Sequence, residues 1–177
     1  MKQQQKDRAG AAAAQWRQEK PDWDLLPMEL FGRISEASNV IRSRHIEPLF
    51  AAFGLQGGEF DVLATLRRSG CNEAGLYALT PSQMYDATMI SSGGMTNRLD
   101  RLEKAGLVER MANPKDRRGT IVALTDKGLA LVEQVTERHL ANETRLLSAL
   151  SQTEQQLLNE LMAKLLMGVE QMDGPDV

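Results

Sequence analysis

Residues 91–128 read SSGGMTNRLDRLEKAGLVERMANPKDRRGTIVALTDKG, and the order of patterns within this stretch decides the fold. Its first part has a helical period. At 100° per residue Met95, Leu99 and Leu102 cluster within ~60° of one another, which makes a stripe to bury. Gly93, Asn97, Asp100, Arg101 and Lys104 fall on the opposite side. Ser91 or Ser92 is placed to cap this helix, which runs to about Lys104 and ends at Gly106. Two short β-prone runs follow, Leu107 to Arg110 and Thr120 to Leu124, around the charged turn Asn113 to Gly119, the pattern of a hairpin. Thr125-Asp126 then opens another helix.

Upstream, Thr80-Pro81-Ser82-Gln83 is a strong helix start: Thr80 caps, Pro81 suits the first position, and Gln83 stands where a reciprocal capping box needs it. The short helix it opens ends near Ala87. Before it, a helix from Glu59 to about Arg68 follows Gly57-Gly58, with Glu59 and Asp61 in the first turn where the helix dipole favours carboxylates. A long helix is expected from Met28, broken or kinked by Pro48 and stopped by Gly54. Residues 11–19 have the composition of a short helix around Trp16, and Pro21 and Pro27 punctuate a linker containing Trp23. Downstream, the helix from Asp126 carries Val132, Val135, Leu146 and Leu150. A second capping box, Ser151 to Glu154, opens a last helix with Leu157, Leu158, Leu161, Leu165 and Val169.

Two short helices joined by a tight turn and followed by a hairpin describe a winged helix-turn-helix. The expected fold is mainly α with a small β-hairpin wing, divided into an arm (1–27), a dimerisation helix (28–56), a DNA-binding domain (57–124) and C-terminal dimerisation helices (125–172). In this fold the helix ending at Lys104 is the recognition helix. Ser92, Gly93 and Gly94 lie at its start, and the two glycines permit close backbone approach to a duplex. Asn97 can pair with an adenine edge and Thr96 can meet a thymine methyl, while Arg101 and Lys104 suit phosphates. At the wing, Lys115, Arg117 and Arg118 concentrate cations on a narrow projection suited to a minor groove, and Asp116 can pair with Arg118 to brace it.

Composition is consistent with this reading. The 177 residues carry a formal net charge of −3, which is unusual for a nucleic-acid binder until its distribution is seen. Residues 91–119 hold seven basic and four acidic side chains, a local charge of +3 against −6 elsewhere. Phosphate attraction follows the local field within about a Debye length, so the acidic average is no objection. A single cysteine, Cys71, excludes an internal disulfide framework and suits a reducing compartment. With no apolar run of membrane-spanning length and no signal-peptide core, the expected location is the cytoplasm. The sequence has no phosphate-binding glycine loop, nucleophile elbow or metal-ligand spacing, so neither an enzyme nor a cofactor is expected. His45 and His139 alone do not make a zinc site. Two alternatives are a thiol redox sensor acting through Cys71, which has no neighbouring cation in sequence to activate it, and a helical interaction protein that binds no DNA. The second leaves the wing cations unexplained.

Residues 89–110, 113–119 and Leu124-Thr125-Asp126-Lys127-Gly128 closely resemble the recognition helix, wing and following helix start of the MarR family of transcription regulators. Asp116-Arg117-Arg118 is the most recognisable part of that signature, and the resemblance extends from about residue 28 to 170. It implies a homodimer built from the first and last two helices. Paired recognition helices would then sit on a pseudo-palindromic duplex, with half-sites ~10 base pairs apart.

A ligand site follows less directly. Arg98 lies ~60° from Met95, at the edge of the buried stripe, and Asp61 is embedded in Phe60-Asp61-Val62-Leu63. Charges at such positions need a partner, either each other or a ligand. A urate-responsive branch of the MarR family has an additional N-terminal helix bearing a tryptophan, an aspartate on the second helix and two arginines. Matched by motif, these correspond to Trp16, Asp61, Arg98 and Arg110, with Trp23 the alternative tryptophan. The resemblance implies that a planar anion, such as urate or a phenolic acid, docks between Trp16, Arg98 and Arg110. Repulsion of Asp61 would then shift the recognition helix.

Overall fold

The computed structural model describes residues 7–88, 94–113 and 116–172. Helix α1 (Arg8–Glu19) starts earlier than the sequence suggests, because Asp7 caps it by accepting from the Gly10 amide at 2.7 Å. Helix α2 (Leu26–Ile41) also starts early, taking Pro27 into its first turn. Proline there loses no helical hydrogen bond, so it starts this helix and does not punctuate a linker. The expected break at Pro48 is a π-helical turn, Arg42–Ile46, where the Glu47 amide reaches back to the Arg42 carbonyl before α3 (Glu47–Ala52) resumes. One wide turn lets the chain pass a residue that cannot donate.

Helix α4 (Glu59–Arg68) is followed by β1 (Ala78–Leu79), α5 (Pro81–Ala87) and α6 (Met95–Lys104). The strands β2 (Val108–Asn113) and β3 (Asp116–Leu124) lead to α7 (Asp126–Leu146), a 3-10 turn (Leu147–Ala149) and α8 (Gln152–Glu170). Thr80 and Gln83 form the expected reciprocal capping box on α5, as Ser151 and Glu154 do on α8. The sheet is antiparallel with order β1-β3-β2, pairing Ala78 with Ala123 and Arg110 with Val122. Strand β1 is absent from the sequence reading because two residues have no period to read. A bulge between Ala112 and Asn113 re-aims the hairpin near its tip, where Asn113 faces Asp116.

The chain divides within α7 into two units, Met1–Glu137 and Arg138–Val177. The first has one core. Phe60, Val62, Leu63 and Leu66 of α4 meet Met84 of α5, Met95, Leu99 and Leu102 of α6, Val108 and Val122 of the wing, and Val132 and Val135 of α7. Phe50 stacks on Phe60 with ring centroids 4.5 Å apart. In the same unit α1 lies along α2, so closely that a methyl group on Gly32 would stand 3.0 Å from the Ala9 Cβ. A ladder of ion pairs fastens the two helices: Asp7–Arg33 at 3.0 Å, Glu29–Arg33 at 2.5 Å, Glu29–Arg17 at 3.0 Å and Arg8–Glu36 at 3.5 Å. Leu26, Leu30, Phe31 and Ile41 of α2 remain exposed. In the second unit α8 exposes Leu157, Leu158 and Leu161, and the Gln155 side chain bonds the carbonyls of Leu147 and Leu150, closing the turn before it. Among the described residues no helix is long and apolar enough to cross a membrane, and no cluster of three His, Cys, Asp or Glu could hold a metal.

Candidate nucleic-acid interface and effector residues

Helix α6 buries the stripe its period predicts. Met95, Leu99 and Leu102 are covered, while Thr96, Asn97, Asp100, Arg101 and Lys104 are exposed. Gly94 stands at its N-cap with φ of +84°, a left-handed conformation that glycine adopts without strain. The Arg98 side chain runs back toward the start of its own helix, as helical side chains do, so a Cβ on Gly94 would stand 3.9 Å from its guanidinium carbon. Ser92, Gly93 and Lys115 lie outside the described residues. Arg117 and Arg118 occupy the second and third positions of β3 beside an exposed Asp116, with their side chains also outside the description.

Polar contacts with α4, the wing and the start of α7 hold α6. From α4, the carboxylate of Glu59, only 4% exposed, accepts from Arg101 Nε at 2.9 Å and from the Gln56 amide at 2.6 Å. Arg101 Nη1 also donates to the Gln56 side-chain oxygen. From the wing, Arg110 of β2 donates to Asp100 at 2.6 Å and to Glu103, which also accepts from the Arg110 amide at 3.2 Å. Asp100, with Glu103 beside it, holds the Arg110 guanidinium further above its ordinary pKa. Lys127 Nζ in the first turn of α7 donates to the Ala105 carbonyl, and Thr125 Oγ1, one residue before that helix, donates to the Gly106 carbonyl, both at 2.7 Å. These are carbonyls that a helix end leaves unsatisfied. Gly128 completes this joint, since a Cβ there would stand 1.9 Å from the Leu107 carbonyl oxygen.

The structure therefore places the proposed effector residues in different settings. Trp16, 41% exposed, stacks on Trp23 with centroids 5.6 Å apart, so both tryptophans belong to one arm cluster. Asp61 and Arg98 are half-buried, and Arg110 is committed to two carboxylates of α6. Cys71 is exposed after α4, and a hydrogen bond with Cys71 pushes the Tyr77 phenol up. Glu59 is more than a carboxylate favoured by the helix dipole, because its side chain is buried against Arg101 and the Gln56 amide. At 100° per residue it falls within ~60° of Val62, Leu63 and Leu66, and a carboxylate inside an apolar stripe already signals a buried partner. Asp100, Glu103 and Lys127 carried no comparable signal.

A polar-faced helix seated on a helix-turn-helix core and clamped to a β-hairpin defines a winged helix-turn-helix protein. Residues 53–119 match the MarR family model. The chain is 43% identical over 150 residues to the HTH-type transcriptional regulator PecS of Dickeya dadantii (strain 3937), covering 85% of this chain and 87% of that protein. It is 31% identical over 111 residues to the multiple antibiotic resistance protein MarR of Escherichia coli (strain K12), covering 63% and 70%. Among solved structures, a mutant of Escherichia coli MarR complexed with operator DNA superposes with a TM-score of 0.65 at 28% identity, over 80% of this chain and 95% of that one. The protein belongs to the MarR family of transcriptional regulators, a non-enzymatic family.

Proposed function

We propose that the protein is a homodimeric repressor that grips pseudo-palindromic duplex DNA and lets go when a small aromatic anion binds. The observation that carries this reading is α6: its apolar side is fully committed to the core, while Thr96, Asn97 and Lys104 face outward beside the β2–β3 hairpin, whose sequence supplies the cations Lys115, Arg117 and Arg118. A helix of this width fits the major groove, and a cationic wing fits the adjacent minor groove. The similarity to a MarR structure solved on operator DNA supports the same docking. Exposed apolar side chains on α2 and on α8 supply the surfaces a two-fold dimer buries. The four segments 1–27, 28–56, 57–124 and 125–172 then act as arm, dimer helix, DNA-binding domain and dimer helices. The compartment is the cytoplasm, where the duplex is.

The effector is an anion such as urate or a phenolic acid, which docks between Trp16, Arg98 and Arg110 and repels the carboxylate of Asp61. Arg110 gives the coupling a physical route. Its guanidinium is already bonded to Asp100 and Glu103 of α6, so an incoming anion competes with these carboxylates for it and weakens their hold on the wing. Freed carboxylates on the recognition helix then face DNA phosphates of like charge. Coupling of this kind is worth about 1–3 kcal/mol, or roughly 5- to 150-fold in DNA affinity. Titration of urate, then salicylate, into the protein–DNA complex tests this. Release that Arg110→Ala and Asp61→Asn abolish supports the site. Unaltered release in both variants moves the effector elsewhere.

A further inference from the structure

Arg101 has the composition of a phosphate ligand and the geometry of a brace. It projects from the exposed side of α6, with its own side chain 47% exposed. Two of its donors are nevertheless spent inward, Nε on Glu59 and Nη1 on Gln56. The Glu59 carboxylate is the more constrained partner. It is 4% exposed, with one oxygen on Arg101 and the other on the Gln56 amide. Turning Arg101 toward a phosphate strands that carboxylate in the core of α4, and a buried charge that loses its partner is strongly destabilising. The pair also joins the two helices: Glu59 starts α4 and Arg101 is in the last turn of α6. The apolar side chains these helices bury in the shared core are Phe60, Val62, Leu63 and Leu66 on α4 and Met95, Leu99 and Leu102 on α6. Apolar side chains are non-directional in their attraction and do not by themselves fix how far one helix rolls on another. A forked guanidinium on a buried carboxylate does.

From this geometry we infer that Arg101 is a positioning residue, locking the roll of the recognition helix against α4, and not one of its phosphate ligands. The inference rests on the proposal that α6 enters the major groove. Its consequence is that specificity depends on Glu59, a residue that touches no DNA. When the latch opens, Thr96 and Asn97 lose their register on the base edges while the grip on the phosphate backbone elsewhere persists.

The test measures affinity for a duplex selected from a random pool and for random duplex, across a salt series, with the full-length chain. Wild type, Arg101→Gln, Arg101→Lys, Glu59→Gln and the double Glu59→Gln/Arg101→Gln are compared at a temperature where circular dichroism shows each folded. The latch predicts that Glu59→Gln and Arg101→Gln each reduce the preference for selected DNA at least roughly fivefold, the lower end of what one mismatched base pair costs. The double variant then loses no more than the worse single, and both slopes of log affinity against log salt stay at the wild-type value. Arg101→Lys does not rescue, because an ammonium keeps the charge but lacks the fork. A fall in slope of about 0.9 in Arg101→Gln, the signature of one phosphate no longer neutralised, with Glu59→Gln neutral, overturns the inference and leaves the functional proposal standing. Unchanged preference in folded variants also overturns it. A wild type that binds no duplex overturns the functional proposal itself, and the inference with it. If Arg101→Gln does not fold, Arg101→Lys and Glu59→Gln carry the same comparison.

Discussion

Replacing Gly128 by alanine should destabilise the protein, although alanine is the better helix former by about 1 kcal/mol. Gly128 sits in the first turn of α7, where the added Cβ would stand 1.9 Å from the Leu107 carbonyl oxygen, 2.9 Å from its carbon and 3.3 Å from its Cα. All three are backbone atoms, so no rotamer change relieves the overlap. The start of α7 must withdraw from residues 105–107 by more than about 1 Å, and three bonds resist it: Thr125 N to Leu107 O at 3.2 Å, Thr125 Oγ1 to Gly106 O, and Lys127 Nζ to Ala105 O. Overpacking of this kind costs about 1–3 kcal/mol, and each hydrogen bond broken adds about 1 kcal/mol. With one or two of these bonds lost and the propensity gain subtracted, the net loss is about 1–4 kcal/mol. Urea unfolding followed by circular dichroism measures it, at fixed protein concentration because a dimer's stability depends on concentration. An alanine variant as stable as wild type, or more stable, refutes the argument, because helix propensity alone predicts that sign.

The other predictions concern the wing, a cap and the arm. Arg117→Ala and Arg118→Ala should each weaken selected and random duplex alike and lower the salt slope by about 0.9 for each phosphate that the variant no longer neutralises, which a fluorescence anisotropy salt series reads directly. Thr80→Ala removes one half of the capping box on α5 and should cost about 1 kcal/mol by urea unfolding, with DNA affinity falling in step. The arm should loosen in acid. The Asp7 carboxyl is held below its ordinary range first by the Gly10 amide and then by Arg33, and Glu29 by hydrogen bonds from Arg17 and Arg33. Because both folded-state values are depressed, the stabilisation is complete above the ordinary carboxylate range near about pH 4 and is lost as pH falls through the depressed values. Trp16 and Trp23, the chain's two tryptophans, both lie in this arm, so intrinsic fluorescence should stay flat from neutral pH down to that range and change below it. Glu29→Gln should abolish part of the transition.

What was legible in the sequence was whatever repeats or punctuates. The stripe Met95, Leu99, Leu102, the two capping boxes and the cluster of turn residues around Asn113 each state a local preference that the fold obeys, and their order gives the winged helix-turn-helix. The α4 boundaries, Glu59–Arg68, follow from glycines before and after and an amphipathic run between. Pairings between distant segments were not legible. Arg101 faces outward on its helix wheel, and only the approach of α4, more than forty residues earlier, makes it the partner of Glu59. Arg110 looked like a ligand arginine, and its clasp by Asp100 and Glu103 depends on how β2 returns across α6. The arm followed the same rule. Its helix was visible from composition, but its docking on α2 rests on Asp7, Glu29 and Arg33, polar residues that carry no periodic signal.

On the proposed function, α6 and the wing form a sequence-reading, phosphate-gripping surface. Fluorescence anisotropy of the full-length protein on duplex DNA from upstream of its own gene, against random duplex, over a series of salt concentrations, tests it most directly. The expected result is a preference of roughly a thousandfold or more for the specific site, with affinity falling steeply as salt rises and saturation at one dimer per site. Equal, weak binding to both duplexes, persisting when duplexes selected from a random pool replace the upstream DNA, contradicts it.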